Sequence, residues 1–226
     1  MVISDRYGYL YFVIPKCGSA TVRHALAAYT DIGYPVTAFE EHVTIEKFLN
    51  KYDSENRFAR HLKFTFVRNP YDRLYSGFRQ DMLASTRWKP WIAAKQPLFK
   101  AVGDDFNAYM QRFVAEADIA HAWDWVCFCP MVAFTHLNGV CALDWIGRTE
   151  RLESDLAVLA AKIGVTIDAV ESHNVRGPAN PHGADTPRYL AHYTRRTVEL
   201  VNKLYADDFD AFGYPVLDPA EFPTAL

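Results

Sequence analysis

Leu10-Tyr11-Phe12-Val13-Ile14-Pro15-Lys16-Cys17-Gly18-Ser19-Ala20-Thr21 is the stretch whose reading sets the fold class. Its first five residues form an apolar run rich in β formers, and Pro15, Lys16 and Gly18 break that run before a helix-compatible segment, Ala20 to Tyr29. The order is strand, loop, helix. It returns at Leu62 to Val67, a Phe-rich, β-branched run followed by Arg68, an Asn69 suited to cap a helix and a Pro70 suited to its first turn, with the helix reaching about Leu83. A third apolar run, Val140 to Ile146, passes through Gly147 into a helix in which Leu152, Leu156, Leu159 and Ile163 recur at helical spacing and Gly164 supplies the stop. Strands alternating with helices predict an α/β fold with a central parallel sheet flanked by helices, whose ligand sites lie beyond the carboxyl ends of the strands.

The chain has 226 residues, 50% of them hydrophobic, which suits one domain over residues 1–226. A formal charge of −3 gives no general field for polyanions, so an anionic ligand must be held by local basic groups and backbone donors, and nucleic acid is not expected as a partner. The apolar stretch Tyr9 to Ile14 is too brief for a signal sequence or a transmembrane segment, and the expected setting is cytoplasmic. Cys17, Cys127, Cys129 and Cys141 lack zinc-site spacing and read as buried thiols. Between Ser85 and Pro130, which holds Trp88, Trp91, Trp123 and Trp125, the one predicted helix lies around Asp104 to Ala115. Those tryptophans read as core and cover, with a sugar-stacking platform as the alternative.

Chemistry concentrates in two places. Pro15 to Thr21 has the composition of a phosphate cradle: a turn that aims backbone N–H groups and a helix N-terminus at an anion, with Lys16 as a mobile cation, Gly18 allowing close approach, and Ser19 and Thr21 as hydroxyl donors. It is not a Walker A loop, and an ordinary strand-to-helix turn is the competing reading. Arg68, at a strand end, offers a bidentate fork for phosphate, and Ser76 lies two helical turns further on; a surface Arg68 paired with Asp72 is the alternative.

Taken together, Ile14-Pro15-Lys16-Cys17-Gly18-Ser19-Ala20-Thr21-Val22-Arg23-His24-Ala25-Leu26 and Phe64-Thr65-Phe66-Val67-Arg68-Asn69-Pro70-Tyr71-Asp72-Arg73-Leu74-Tyr75-Ser76-Gly77-Phe78 resemble the 5′- and 3′-phosphate motifs of the sulfotransferases, particularly the carbohydrate and heparan 2-O-sulfotransferase-like branch. Asp144 to Glu150, His173 to Arg176 and Tyr205 to Tyr214 resemble later segments of that branch. The resemblance implies a P-loop-like nucleotide-binding fold and 3′-phosphoadenosine 5′-phosphosulfate as co-substrate, without a metal. It places the 5′-phosphate on Lys16, Cys17, Gly18, Ser19, Ala20 and Thr21, the 3′-phosphate on Arg68 and Ser76, and a further cation at Arg176. It also implies that His42, in the segment Phe39 to Phe48, is the base that takes the proton of an acceptor hydroxyl, with Lys16 steadying the departing phosphate. Glu40 or Glu41 is expected to raise the pKa of His42 or fix its tautomer. His61 and His121 are the reserves. The implied acceptor is a saccharide or glycolipid, and nothing in the sequence sets the oligomeric state. Two departures stand out: Ala20 replaces a small hydroxyl residue, and Met131 follows Pro130 where relatives carry a Trp, Pro and Gln cluster. The competing functions are a nucleotide kinase, which needs a full Walker loop and magnesium ligands, and a non-catalytic nucleotide-binding module.

Overall fold

The computed structural model describes residues 1–33, 40–83, 95–167 and 187–225. In chain order its main elements are β1 (Val2–Ser4), β2 (Tyr9–Tyr11), α1 (Ser19–Ala25), β3 (Ile32–Gly33), α2 (Ile45–Lys51), α3 (Arg57–Arg60), β4 (Leu62–Val67), α4 (Pro70–Leu83), α5 (Gln96–Val102) and α6 (Phe106–Tyr109). There follow β5 (His136–Leu137), β6 (Val140–Cys141), β7 (Trp145–Arg148), α7 (Leu152–Ile163), α8 (Arg195–Leu204) and α9 (Ala206–Phe212). They divide into two compact units, residues 1–68 with 131–176, and residues 69–130 with 177–226.

The first unit is built on a five-stranded sheet of order β3-β1-β2-β4-β7. The parallel pairing expected from the sequence holds for β2 with β4 and for β4 with β7. On the other side the sheet is antiparallel, β1 pairing with both β2 and β3. The physical reason is the short turn between β1 and β2, which includes Gly8 at φ 66°: a tight turn joins antiparallel neighbours, whereas a parallel pair needs a long crossover. The third apolar run also differs from the expectation of one strand over Val140 to Ile146. Asn138 and Gly139, at φ 52° and 77°, make a tight turn that pairs β6 with β5, and only from Trp145 does the chain join the main sheet. Asn-Gly between apolar residues is a hairpin signal, so the split could have been read from the sequence.

Alternation sorts the strand residues onto two faces. Ile3, Leu10 and Phe12 face one way and form a core cluster with Val43, Ile45 and Phe48, the last two from α2. Thr44 caps that helix, its hydroxyl accepting from Lys47 N. On the other face Tyr11 stacks on Phe64 at 5.0 Å and Phe66 meets Trp145 edge-on at 5.4 Å. α7 packs against β7, and Gly164, at φ 71°, ends it as expected. Helix α1 is shorter than the expected Ala20 to Tyr29: it stops at Ala25, and a separate 3-10 turn covers Ala27–Tyr29.

In the second unit α4 covers Pro70–Leu83, up to the last described residue of that stretch. Arg73 is buried and donates to Cys129 O at 2.8 Å, while Tyr205 donates to Phe128 O at 2.6 Å. The helix expected over Asp104 to Ala115 begins at Phe106, capped by Asp105, and widens into a π turn over Met110–Val114. Trp125 is packing material: it lies 5.8 Å from Phe128, with the Lys95 ammonium 4.1 Å from the indole centre and paired to Asp81 at 2.9 Å. Cys17, Cys127 and Cys129 are buried as expected, whereas Cys141 is exposed.

Gly147 stands opposite Phe66 in the sheet, and a Cβ there would come within 2.5 Å of the Phe66 ring and 2.6 Å of Trp145. Gly147→Ala is expected to lower unfolding free energy by about 1–3 kcal/mol through forced ring displacement, read as a lower urea midpoint.

Candidate active site

Three parallel strands deliver their carboxyl ends to one edge of the first unit. After β2 the chain runs through Val13 into the Pro15–Thr21 turn, after β4 it reaches Arg68, and after β7 it reaches Thr149. Thr149 Oγ1 donates to Val67 O at 3.0 Å and its methyl lies 3.7 Å from the position a Gly18 Cβ would take, so the three ends interlock.

The turn itself is strained. Lys16 has φ 67° and Gly18 φ 71°, both left-handed. For Gly18 this is free of cost, but for Lys16, which carries a Cβ, it costs about 1 kcal/mol or more. Contacts from Arg68 and Met131 help to hold it. Arg68 Nη1 donates to the Lys16 carbonyl at 3.1 Å, and the Cys17 side chain is fully buried with its sulfur 3.8 Å from Met131 Sδ. A turn of this kind gathers successive backbone N–H groups into a concavity for anions. The first hydrogen bond within α1 runs from Val22 N to Gly18 O, and the N–H groups of a helix's first turn have no acceptor inside it. Ala20 is exposed, Ser19 half-buried and Thr21 buried, so Ser19 is the hydroxyl of the turn nearest solvent. Leu152 packs where a Gly18 side chain would stand, 3.3 Å from its Cβ position.

His42 sits beside this turn. Its Nδ1 lies 2.8 Å from Val13 O, and since a carbonyl only accepts, Nδ1 carries the proton and Nε2 the lone pair. Nε2 is 3.9 Å from Glu41 Oε2, and the other Glu41 oxygen is paired to Arg23 of α1 at 2.6 Å. The Met1 amino group donates to Glu40 O at 3.0 Å and also to Glu41 O. Glu41 pushes the pKa of His42 up, as expected of a carboxylate, but the net shift is downward. Burial dominates and pushes the imidazole down to about 4, with Glu41 and the Val13 carbonyl opposing it and Met1 and Arg23 reinforcing it. Glu40 has no part in this: its carboxylate binds Lys47 at 2.6 Å and Tyr52 at 3.1 Å.

Lys16, Cys17, Gly18, Ser19, Ala20, Thr21, Arg68 and His42 thus share the first unit. Ser76 lies on α4 in the second unit, half-buried. Arg176, with His173 to Val175, lies outside the described residues. His61 precedes β4, at the end of the strand opposite Arg68 and roughly 20 Å from it at strand rise. There His61 Nε2 is 2.9 Å from Asp5, whose carboxylate also takes a bidentate pair from Arg57 at 2.8 Å. His121 is exposed in the second unit, 2.8 Å from Asp118. Sequence reasoning gave no individual role to Val13, Arg23, Thr149 and Leu152, which act through a carbonyl, an ion pair or packing. Glu41 was flagged, and its place beside His42 is what the segment's spacing suggested.

A model of the family described as Sulfotransferase family matches residues 1–215. Among curated proteins the chain is similar to carbohydrate sulfotransferase 10 of Xenopus laevis, 22% identical over 249 residues that make up 94% of this chain and 66% of that protein. It is 25% identical over 247 residues to carbohydrate sulfotransferase 10 of Gallus gallus, covering 96% and 66% of the two chains. To carbohydrate sulfotransferase 14 of Mus musculus it is 27% identical over 239 residues, covering 96% and 60%. The chain therefore spans 66% or less of the length of these relatives. No solved structure gives a significant match.

A histidine with its folded pKa near 4 binds fewer protons than the unfolded chain, where it titrates near 6.5. Its contribution to stability is therefore complete above about pH 6.5 and is lost as the pH falls toward 4, by up to about 3 kcal/mol. Urea unfolding at pH 7 and pH 5 should show His42→Asn, whose amide can still donate to Val13 O, losing less stability on acidification than the wild type.

Proposed function

Because the chain belongs to the sulfotransferase family, we propose that it transfers a sulfuryl group from 3′-phosphoadenosine 5′-phosphosulfate to a hydroxyl of a carbohydrate acceptor, as one sulfotransferase-like domain over residues 1–226. The observation that carries the reading is the left-handed Lys16 turn at the end of β2, braced by Arg68 from the end of β4. Similarity to two carbohydrate sulfotransferases supports the acceptor class.

The residues present fit such a donor. The turn offers backbone N–H groups from Cys17 to Thr21 and the Lys16 side chain to a 5′-phosphate. Arg68, whose Nη1 donates to the Lys16 carbonyl, is the fork assigned to a 3′-phosphate, with Ser76 and Arg176 as the additional groups assigned to the nucleotide. The donor, when bound, supplies the transferable sulfuryl group.

His42 then takes the acceptor's proton on Nε2. Its Nδ1–H bond to Val13 O fixes the tautomer, and a pKa near 4 keeps the ring neutral at pH 7, the form able to accept. The resulting imidazolium has its new charge 3.9 Å from Glu41, a carboxylate that Arg23 holds in place. A base of this strength is weak even with Glu41 in place, because the favouring of the charged form by Glu41 is already part of that value. Lys16, a residue of the turn that would carry the departing phosphate, would set its ammonium against the charge developing there, where preorganised charge lowers the barrier.

In a radiolabelled-sulfate transfer assay against a glycan panel, Lys16→Ala is expected to lower turnover about 10²- to 10³-fold and His42→Asn about 10²- to 10⁴-fold. The acid limb of the wild-type profile should lie near pH 4, not 6.5. Unchanged turnover in Lys16→Ala, or transfer to no acceptor, would remove the reading.

A further inference from the structure

Glu41 is held more firmly than its effect on the pKa of His42 requires. Its Oε1 takes the Arg23 guanidinium at 2.6 Å, and Arg23 belongs to α1, the helix that leaves the Pro15–Thr21 turn. Its Oε2 lies 3.9 Å from His42 Nε2, beyond hydrogen-bond reach. His42 is fixed from its other side by Val13 O at 2.8 Å, and Val13 leads into the same turn. Two acceptor atoms, Oε2 and Nε2, therefore stand side by side on separate anchors, all within the first unit. Both side chains reach the surface, with 22% of Glu41 and 12% of His42 exposed.

That spacing sets a requirement on any hydroxyl that gives its hydrogen to Nε2. A hydrogen bond of about 2.8 Å to Nε2, with Oε2 only 3.9 Å from Nε2, brings the atoms beside that hydroxyl against the Glu41 carboxylate. One hydroxyl has one hydrogen and cannot serve both acceptors. The carboxylate then exchanges water for the acceptor's surface, and it loses solvation unless the same molecule supplies a second donor. Either oxygen of a carboxylate can take two hydrogen bonds, so the ion pair of Oε1 with Arg23 leaves Oε2 able to accept.

We infer that Glu41 selects the acceptor: Oε2 takes a hydrogen bond from a second hydroxyl or an amine on the carbon next to the one that reacts, so the preferred acceptor is a vicinal diol or amino alcohol of a sugar ring. The inference rests on the sulfotransfer reading above, with His42 as its base. In the transfer step the acceptor oxygen bonds to sulfur as the bond from sulfur to the 5′-phosphate oxygen breaks, and the proton of that hydroxyl passes to Nε2. The neighbouring donor keeps its hydrogen, shared with Glu41, throughout. A deoxygenated neighbouring carbon leaves Oε2 without a donor, and an anionic neighbour sets lone pairs against lone pairs; both are rejected for that reason.

The test uses the full chain with 3′-phosphoadenosine 5′-phosphosulfate as donor and p-nitrophenyl β-D-galactopyranoside as acceptor, each of whose secondary ring hydroxyls has a hydroxyl neighbour, beside its mono-deoxy derivatives. The sulfated position is read by NMR. Removing the hydroxyl next to that position should lower kcat/KM about 10-fold or more in the wild type, and an amino group in its place should restore the rate. In Glu41→Ala, where every member of the series turns over more slowly, the same removal should cost about 2-fold or less. Glu41→Gln, which keeps an acceptor oxygen without the charge, should fall between the two and keeps the inference testable if the alanine variant fails to fold. The inference is overturned by a wild type indifferent to the neighbouring hydroxyl, or by a loss of the same size in both variants as in the wild type, since a Glu41 that only supports the fold slows every member alike. Binding of adenosine 3′,5′-bisphosphate with transfer to no galactoside overturns it too. Absence of bisphosphate binding in the wild type would instead remove the sulfotransfer reading itself.

Discussion

The hydrogen bond from Arg68 to the Lys16 carbonyl, 3.1 Å long, is the constraint on which the site depends. It joins the carboxyl ends of two adjacent parallel strands, whose register pairs Tyr11 with Phe64, and it holds Lys16 in a left-handed conformation that a residue with a Cβ avoids on its own. Thr149 ties the third strand end to the second through Val67 O, and Leu152 closes the space behind Gly18. A strained loop persists only where its surroundings over-determine it, and here a guanidinium, a buried cysteine against Met131 and a leucine do so together. The same guanidinium that braces the loop is the one proposed to hold a second anionic group.

Electrostatics follow from that local construction. A chain of net charge −3 cannot attract a doubly phosphorylated nucleotide by its overall field, so the attraction has to come from a few groups at one sheet edge. His42 shows the opposite use of burial. The protein strips it of solvent and lowers its pKa to about 4, yet sets Glu41 near Nε2 and anchors Glu41 with Arg23. In the proposed reaction such a base is neutral beforehand and has a partner once it is charged.

Much of this was legible in the sequence because it is local. The strand, turn and helix at Leu10 to Thr21 and at Leu62 to Leu83 announce themselves by apolar runs broken by proline and glycine, and they place Lys16 and Arg68 at strand ends. What was not read from the sequence has more than one cause. The antiparallel half of the sheet arises from the short turn through Gly8, and the split of the Val140 to Ile146 run from Asn138 and Gly139, a signal present in the sequence but outweighed by the longer apolar stretch. The lowered pKa of His42 reflects how deeply it is covered, which no spacing reveals, while adjacency to Glu40 and Glu41 pointed the other way. Met131, a departure from the family pattern, gains its meaning from the sulfur contact with Cys17.

Titration calorimetry with adenosine 3′,5′-bisphosphate, adenosine 5′-phosphate and ATP, on the wild type and on Arg68→Ala, tests the central claim most directly. The account predicts that the bisphosphate binds best to the wild type and that Arg68→Ala loses about 10-fold or more of that affinity, as expected for a charged hydrogen bond, with a smaller loss for the 5′-phosphate alone. Tight binding of ATP with none of the bisphosphate, or an Arg68→Ala protein that binds the bisphosphate as well as the wild type, would contradict it.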